Sequence, residues 1–182
     1  VLAQRLHEEG RIDGVLAAGG SGNTAIATRA MQALPVGVPK LMVSTVASGD
    51  TRPYVGATDI AMMYSVVDIA GVNRISAQIM TNAAAALAGM AQATVPPLGE
   101  EKPLITASMF GVTTAAVTTA RERLEELGYE VLVFHQTGAG GGSMEALIEA
   151  GFITGSLDVT TTEFCDLVAG GVLVAVPSRL ES

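Results

Sequence analysis

The sequence predicts an α/β protein made of two parallel-sheet domains with helices packed on their faces. Short apolar runs alternate along the chain with segments of helical, 3.6-residue period, as in strands joined by crossover helices. Hydrophobic residues make up 49% of the 182 residues and aromatic residues only 4%, which indicates an aliphatic core. The pattern restarts after a proline-rich, aperiodic segment at 94–103, so we expect a first domain over 1–93, a linker, and a second domain over 104–182.

The first half opens on a helix with no strand before it. Its predicted elements are, in order, a helix over 1–9, a strand over 13–18, a helix over 24–34, a strand over 40–46, an apolar stretch over 60–67 that fits either a strand or a helix, and an Ala-rich helix over 74–91. A parallel sheet that begins with a crossover helix has usually lost its leading strand, so we expect this domain to be truncated at its N-terminus. The small residues of the Ala-rich helix, at 83–86, 88 and 89, predict a buried packing face that lies against the other domain or a second subunit.

The second half has the pattern of a βαβαβαβ unit, close to half of a dinucleotide-binding fold. Its predicted elements are strands over 104–110, 130–135, 153–159 and 172–176, with helices over 114–127, 143–150 and a third ending at Leu167.

Composition excludes several classes of protein. The net charge of −8 argues against a nucleic-acid-binding surface, which requires clustered Lys and Arg. The charge-free stretch after Arg74 is too rich in Ala and polar residues for a membrane span. The single cysteine, Cys165, forms no internal disulfide, and we expect a reduced, cytoplasmic setting.

Ligands of parallel-sheet proteins bind at the carboxyl ends of the strands, where this chain places its unusual loops. The first candidate site is the glycine-rich segment after the first strand: Gly19, Gly20, Ser21, Gly22, Asn23 and Thr24. Its spacing approaches a glycine fingerprint, in which the backbone approaches a phosphate and the helix N-terminus supplies free N–H groups. The alternative is a tight strand-to-helix turn capped by Ser21 or Asn23. The following strand ends in Ser44 and Thr45 rather than in an acid, which disfavours NAD.

A second glycine-rich segment follows the strand that ends at His135. Its candidate ligand-binding residues are Gly138, Gly140, Gly141, Gly142 and Ser143. The segment is interpreted either as a second phosphate loop or as a flexible connector. His135 is either a phosphate ligand or acid/base group, or a buried core histidine.

The third candidate site is the turn at Thr160, Thr161, Thr162 and Glu163, preceded by Asp158. The spacing of Thr160 and Glu163 is that of a capping box, which is the simpler explanation of both residues. Asp158 is a candidate for Mg²⁺ or for a ribose hydroxyl.

The fourth candidate site is the long loop after the second strand, with Ser48, Asp50, Thr51 and Arg52 as candidate ligand-binding residues. Loops of this length in compact domains are usually functional, although a solvated loop is the alternative. Because neither glycine segment contains a lysine, we expect Mg²⁺, held by Asp50 or Asp158, to offset the phosphate charge, with Arg52 as a mobile cation.

Several of these segments together resemble a known family. The block GVLAAGGSGNTAIATRAMQALPVGVPKLMVSTVASGDTRPYVGATDIAMMYSVVDIAGVNRIS, with ITASMFGVTTAAV, EVLVFHQTGAGGGSMEALIEAG and LDVTTTEFCDLVAGGV, resembles the ATP-binding family typified by the plant tomato-mosaic-virus resistance protein. The resemblance implies two Rossmann-like domains, with ATP or a related nucleotide as ligand. It matches family motifs at 19–24, 48–52, 138–143 and 160–163, and departs from the family's small residue at Gln136.

The function expected from the residues and the resemblance together is nucleotide binding, with no defined reaction. Two alternatives stay open. One is an acyl- or phosphoryl-transfer enzyme using the same loops, with His135 or Asp158 as the catalytic group. The other is a nucleotide-dependent protein-interaction module; plant members of the family act by binding a viral replication protein. We also expect a homo-oligomer.

Overall fold

The computed structural model describes residues 2–97, 99–175 and 179. It divides into two compact units, Val1–Pro96 and Pro97–Ser182, each with its own three-stranded parallel sheet. The predicted α/β class with two parallel-sheet units is therefore confirmed.

Unit 1 contains a sheet in the order β1-β2-β3. Its elements are α1 (Leu2–Glu8), β1 (Val15–Gly19), α2 (Ser21–Gln32), β2 (Lys40–Ser44), α3 (Arg52–Val55), β3 (Ala61–Tyr64) and α4 (Arg74–Gln92). Within the ambiguous stretch over 60–67, residues Ala61–Tyr64 form a strand, and the long loop contains one short helix, α3. The glycine-rich segment forms no loop, because α2 begins at Ser21 rather than at Thr24.

The central strand β2 explains how unit 1 is held together. All five of its residues are buried, as expected for a strand covered on both faces. Met42 packs with Met31 of α2 on one face. Leu41 and Val43 pack with Ala83 of α4 on the other. This alternation follows from the two-residue period of a strand.

The Ala-rich helix α4 begins with a capping box, in which the Asn73 side chain accepts from the Ser76 N–H at 2.9 Å. Within the chain itself most of the predicted packing face is exposed, and its burial against a second subunit stays a prediction. Ala83 is fully buried and Ala86 is half-buried, but Ala84, Ala85, Ala88 and Gly89 are exposed.

Unit 2 contains a sheet in the order β5-β4-β6. Its elements are β4 (Leu104–Met109), a 3-10 turn (Gly111–Thr113), α5 (Thr114–Glu126), β5 (Glu130–His135), α6 (Gly138–Glu149), β6 (Ile153–Leu157) and α7 (Thr162–Ala169). Because the chain places β5 on one side of β4 and β6 on the other, the strand order reverses at β4. Crevices suited to ligands form at such reversals, here at the carboxyl ends of β4 and β6.

Two predictions for unit 2 are wrong. The glycine-rich segment after His135 is neither a loop nor a flexible connector, since α6 begins at Gly138 rather than at Ser143. The predicted strand over 172–176 is not formed in its described part, residues 172–175, and Val176 lies outside the described residues.

Candidate functional site

The first candidate site lies where β1 passes into α2. Gly19 ends β1, and Gly20 is the N-cap residue of α2 in extended conformation. Among the described residues no side chain caps this helix, so the alternative of a turn capped by Ser21 or Asn23 is wrong in its cap. Gly19 is required by close packing, because a Cβ there would overlap the Cβ of Asn23. The segment 19–23 is therefore both a tight strand-to-helix turn and an uncapped helix N-terminus.

The uncapped N-terminus of α2 presents free backbone donors. The first amide with a helical partner is that of Thr24, which donates to the Gly20 carbonyl at 2.8 Å. The N–H groups of Ser21, Gly22 and Asn23 precede it and have no partner within the helix. A Cβ at Gly22 would meet no described atom within 4 Å, so this turn borders open space. Such an end carries a partial positive charge and suits an anion.

Thr24 holds this turn from beneath rather than facing a ligand. Its side chain is fully buried, and its hydroxyl donates to the Gly20 carbonyl at 2.8 Å. It also shares a 2.6 Å hydrogen bond with the hydroxyl of Ser44, the last residue of β2. Thr24 therefore fixes the start of α2 to the end of the neighbouring strand.

A pocket of about 310 Å³ lies at the carboxyl ends of β2 and β3. It is lined by Thr45, Tyr64, Ser65, Val66, Val67 and Asp68. The pocket adjoins the start of α2, since a Cβ at Gly20 would lie 3.7 Å from the Thr45 hydroxyl oxygen. Sequence reasoning missed residues 64–68, because the stretch over 60–67 fitted a strand or a helix equally well. Assigning it as a strand would have placed these residues at the carboxyl edge.

The rim of this pocket contains a strained residue. Val66 has φ +63°, and within the described residues it is the one non-glycine residue with a positive φ. A β-branched side chain is unfavourable in this region of backbone space, so the surrounding loop must hold it there. Two hydrogen bonds do so: the Ser65 hydroxyl donates to the Val67 carbonyl at 2.8 Å, and the Val67 N–H donates to the Ser65 carbonyl at 2.7 Å.

Three of the four predicted site residues after β2 are exposed. The Arg52 guanidinium donates twice to the Asp50 carboxylate, at 2.8 Å each. Hydrogen bonds from the Arg52 side chain and backbone N–H lower the pKa of Asp50 to about 2. Ser48 is exposed, and Thr51 is half-buried at the start of α3. Arg52 and Asp50 therefore form an ion pair with each other.

The glycines at the start of α6 are explained by packing within unit 2. A Cβ at Gly138 would overlap the Val174 carbonyl, and one at Gly140 would overlap the His135 carbonyl. A Cβ at Gly141 would lie 3.0 Å from both the Arg179 Nε and the Gln136 Nε2. Ser143 donates to the Ala139 carbonyl at 3.0 Å, one turn back in the helix. Unlike Gly22, these three glycines face their own unit's atoms.

His135 is exposed, and its ring lies 4.9 Å from that of Phe110 with the planes tilted by 56°. The buried-core alternative for this histidine is therefore wrong.

At the carboxyl ends of β4 and β6, side chains hydrogen-bond to one another and to the backbone. The Ser108 hydroxyl donates to the Asp158 carboxylate at 2.6 Å and accepts from the Thr160 N–H at 2.9 Å. The Thr160 hydroxyl donates to the Ser108 carbonyl at 3.1 Å and shares a 2.6 Å hydrogen bond with Thr113. Thr160 thus bonds across the sheet rather than capping α7, whose N-cap is Thr161.

Glu163 belongs to a buried cluster around Arg179, not to a capping box. The guanidinium of Arg179, which is 5% exposed, donates to Glu163 at 3.0 Å and to Asp158 at 2.7 Å. Glu145 lies 3.7 Å from the same group, and Gln136 donates to Glu163. Burial lowers the pKa of Arg179, but the bonds to Asp158 and Glu163 outweigh it, and the pKa is raised. Thr161 and Thr162 are exposed beside this cluster.

The two units thus offer opposite electrostatic environments. Unit 2 places three carboxylates around one guanidinium, an arrangement that repels phosphate. Unit 1 places free amides at an open helix end. No sequence pattern pointed to Arg179 or Glu145, because the cluster is assembled from residues far apart in the sequence, at 136, 145, 158, 163 and 179. Among the described residues, no group of three His, Cys, Asp or Glu side chains is arranged to hold a metal ion.

No helix in the described parts of the chain is long and apolar enough to cross a membrane.

Comparison with known proteins identifies the family. Residues 1–96 match the model described as the N-terminal domain of uncharacterised protein family UPF0261, and residues 102–182 match the C-terminal domain of the same family.

Individual proteins that are similar to this chain indicate the same family. A UPF0261 protein of Clostridium tetani is 61% identical over the whole chain, which spans 45% of that protein. The ToMV resistance protein Tm-1(GCR237) and the ToMV susceptible protein tm-1(GCR26) of Solanum lycopersicum are 45% and 46% identical over 97% and 96% of the chain, which spans 24% of each. The resemblance to the family of the tomato protein is thus confirmed, and the chain belongs to the UPF0261 family.

Proposed function

We propose that unit 1 binds a nucleotide, ATP or a close relative, with its phosphates on the N-terminus of α2. The observation that carries the proposal is the open turn at 20–23, which presents three backbone N–H groups without a capping side chain beside a pocket of about 310 Å³. This volume falls at the lower end of the roughly 300–1,000 Å³ of small-molecule sites.

Backbone donors supply the main attraction in this proposal. The segment 19–24 contains no lysine or arginine, and the chain's net charge of −8 repels phosphates at long range. Magnesium carried by the nucleotide itself offsets part of the phosphate charge. Asp50 fits a magnesium role only after release from Arg52, whereas Asp158 is already bound by Ser108 and Arg179.

The first test replaces the glycine that borders open space. Gly22→Val places a branched side chain where the phosphates would lie, and we expect ATP affinity to fall at least tenfold, about 1.4 kcal/mol. The fold should survive, because Gly22 does not have a positive φ and the new Cβ meets no described atom. The measurement is isothermal titration calorimetry of magnesium ATP against the whole protein.

Gly89→Val is the matched control, since Gly89 is also an exposed helical glycine with open space around its Cβ position. We expect it to bind ATP like the wild type. Unchanged affinity in folded Gly22→Val would remove this turn from the site and overturn the proposal.

The tomato relatives do not extend the proposal to virus resistance. One is named for resistance and the other for susceptibility, yet they are 45% and 46% identical to this chain. Similarity to this segment does not separate the two properties, so we propose no such role here.

A further inference from the structure

We propose that the pocket at the carboxyl ends of β2 and β3 holds the ribose of the nucleotide, with the Asp68 carboxylate accepting its hydroxyl groups. This inference rests on the proposed function and assigns a subsite that orients the same ligand. Its basis is the position of the pocket, the chemistry of its lining and the loop that shapes it.

The position of the pocket suits the part of a nucleotide next to its phosphates. Thr45 lines the pocket and is also the side chain nearest to the Cβ position of Gly20, at 3.7 Å. The pocket therefore continues from the uncapped turn of α2. A ligand with its phosphates on that turn places its sugar in the pocket.

The negative charge of Asp68 in the pocket lining determines which part of the nucleotide lies in the pocket. Asp68 is exposed, and one of its carboxylate oxygens accepts from the Ile69 N–H at 2.8 Å. The other oxygen has no bond to a described residue and is an acceptor for hydroxyl groups. A carboxylate repels phosphates but binds the hydroxyls of a ribose, as the acid of dinucleotide-binding folds does. The Thr45 and Tyr64 hydroxyls add two groups that both donate and accept.

The loop from Ser65 to Asp68 is held in the shape this role requires. The Ser65 N–H donates to the Ser44 carbonyl at 3.1 Å, which ties the loop to the end of β2. Val66 then takes its left-handed conformation, and the chain turns so that residues 65–68 border the pocket. Backbone strain of this kind concentrates at functional sites.

The test separates sugar from phosphate recognition. Calorimetry is performed with the whole protein and magnesium complexes of ATP, 2′-deoxy-ATP and inorganic tripolyphosphate. For the wild type we expect ATP to bind several-fold more tightly than 2′-deoxy-ATP. For Asp68→Asn we expect about a tenfold loss for ATP, no preference over 2′-deoxy-ATP, and unchanged binding of tripolyphosphate. Asp13→Asn, another exposed acid, should behave like the wild type.

Two results would overturn the inference. If Asp68→Asn binds ATP and 2′-deoxy-ATP as the wild type does while tripolyphosphate also binds, the ribose subsite is wrong and the phosphate site stands. If the wild type binds none of the three compounds, both the subsite and the proposed function fail. Unchanged tripolyphosphate binding in the variant also reports that the fold and the α2 turn are intact.

Discussion

Lys40 has the largest fully buried side chain in the described part of the chain, at the first position of β2. A buried ammonium is unfavourable unless its donors are used, and here all three are. Lys40 donates to the carbonyls of Pro35 and Val38 at 2.7 and 2.9 Å, and to the Asp59 carboxylate at 2.6 Å. It thus joins the segment before β2 to the segment before β3, at the end of the sheet opposite the proposed site.

We expect Asp59→Ala to destabilise unit 1 by about 2 kcal/mol at pH 7. Breaking a buried ion pair costs about 3–5 kcal/mol, and we reduce this because Asp59 is 39% exposed. Burial raises the pKa of Asp59, but hydrogen bonds from Lys40 and the Gly37 N–H outweigh it, and the pKa lies below its usual 3.8. A lowered pKa stabilises the fold above the unfolded value, and this stabilisation is lost as pH falls through the folded value.

Urea unfolding followed by circular dichroism checks this prediction between pH 7 and pH 3. The difference between wild type and Asp59→Ala should be largest at neutral pH and shrink below about pH 4. Asp13→Ala, which removes an exposed acid, should stay within about 0.5 kcal/mol of the wild type. A pH-independent difference would contradict the ion-pair explanation.

The two glycine-rich helix starts, at α2 and α6, look alike in sequence but differ in what surrounds them. At α2, Gly22 faces open space, while Gly19 alone is required by close packing. At α6, Gly138 and Gly140 are required because neighbouring carbonyl groups occupy the positions of their Cβ atoms. At α2, glycine leaves open space beside the helix start. At α6, glycine lets the helix start pack closely against the rest of unit 2.

We expect Gly140→Ala to destabilise unit 2 by at least about 2 kcal/mol, because the new Cβ overlaps the backbone of His135 and α6 must move. Gly155→Ala is the control within the same unit. Gly155 lies in β6 with no described atom within 4 Å of its Cβ position, and alanine there should stabilise by about 0.5 kcal/mol. Thermal unfolding of both variants checks the prediction; equal midpoints would show that the glycine run has no packing role.

At the scale of the whole chain, two units of the same class carry different electrostatic sites. The free amides lie in unit 1, while the buried acids around Arg179 lie in unit 2.

The helix α4 leaves a face of small side chains exposed: Ala77, Thr81, Ala84, Ala85 and Ala88. Small side chains permit close approach of another helix, because interaxial distance depends on the side chains at the contact.

We therefore expect the whole protein to be a homo-oligomer that packs through this face. Ala85→Glu places a charge in the contact and should lower the native mass to that of one chain. Ala116→Glu, at an exposed position of α5, is the control and should leave the mass unchanged. Native mass spectrometry with and without ATP measures both variants. A single-chain mass for the wild type would contradict the expectation.

The sequence by itself determined the fold class and most of the elements. Period and apolar runs located β1, β2, β4, β5 and β6 to within a few residues, because a strand covered on both faces must be apolar along its length. Helix starts were less predictable. The sequence predicts loops at 19–24 and 138–143, where helices begin, because glycine is a poor helix former and the packing that stabilises the first turns is not visible in the local pattern.

The tertiary structure alone decided which polar residues meet. Glu163 and Thr160 had the spacing of a capping box, yet Thr160 bonds to Ser108 and Glu163 to Arg179, across long separations in sequence. The shape of the pocket at the carboxyl ends of β2 and β3 depends on the positive φ of Val66, and a valine gives no local signal of such a conformation. The local sequence pattern determines the periodicity of each segment and therefore which segments form helices and strands. A binding site is assembled from the ends of several strands, which lie far apart in the sequence and come together only in the folded chain.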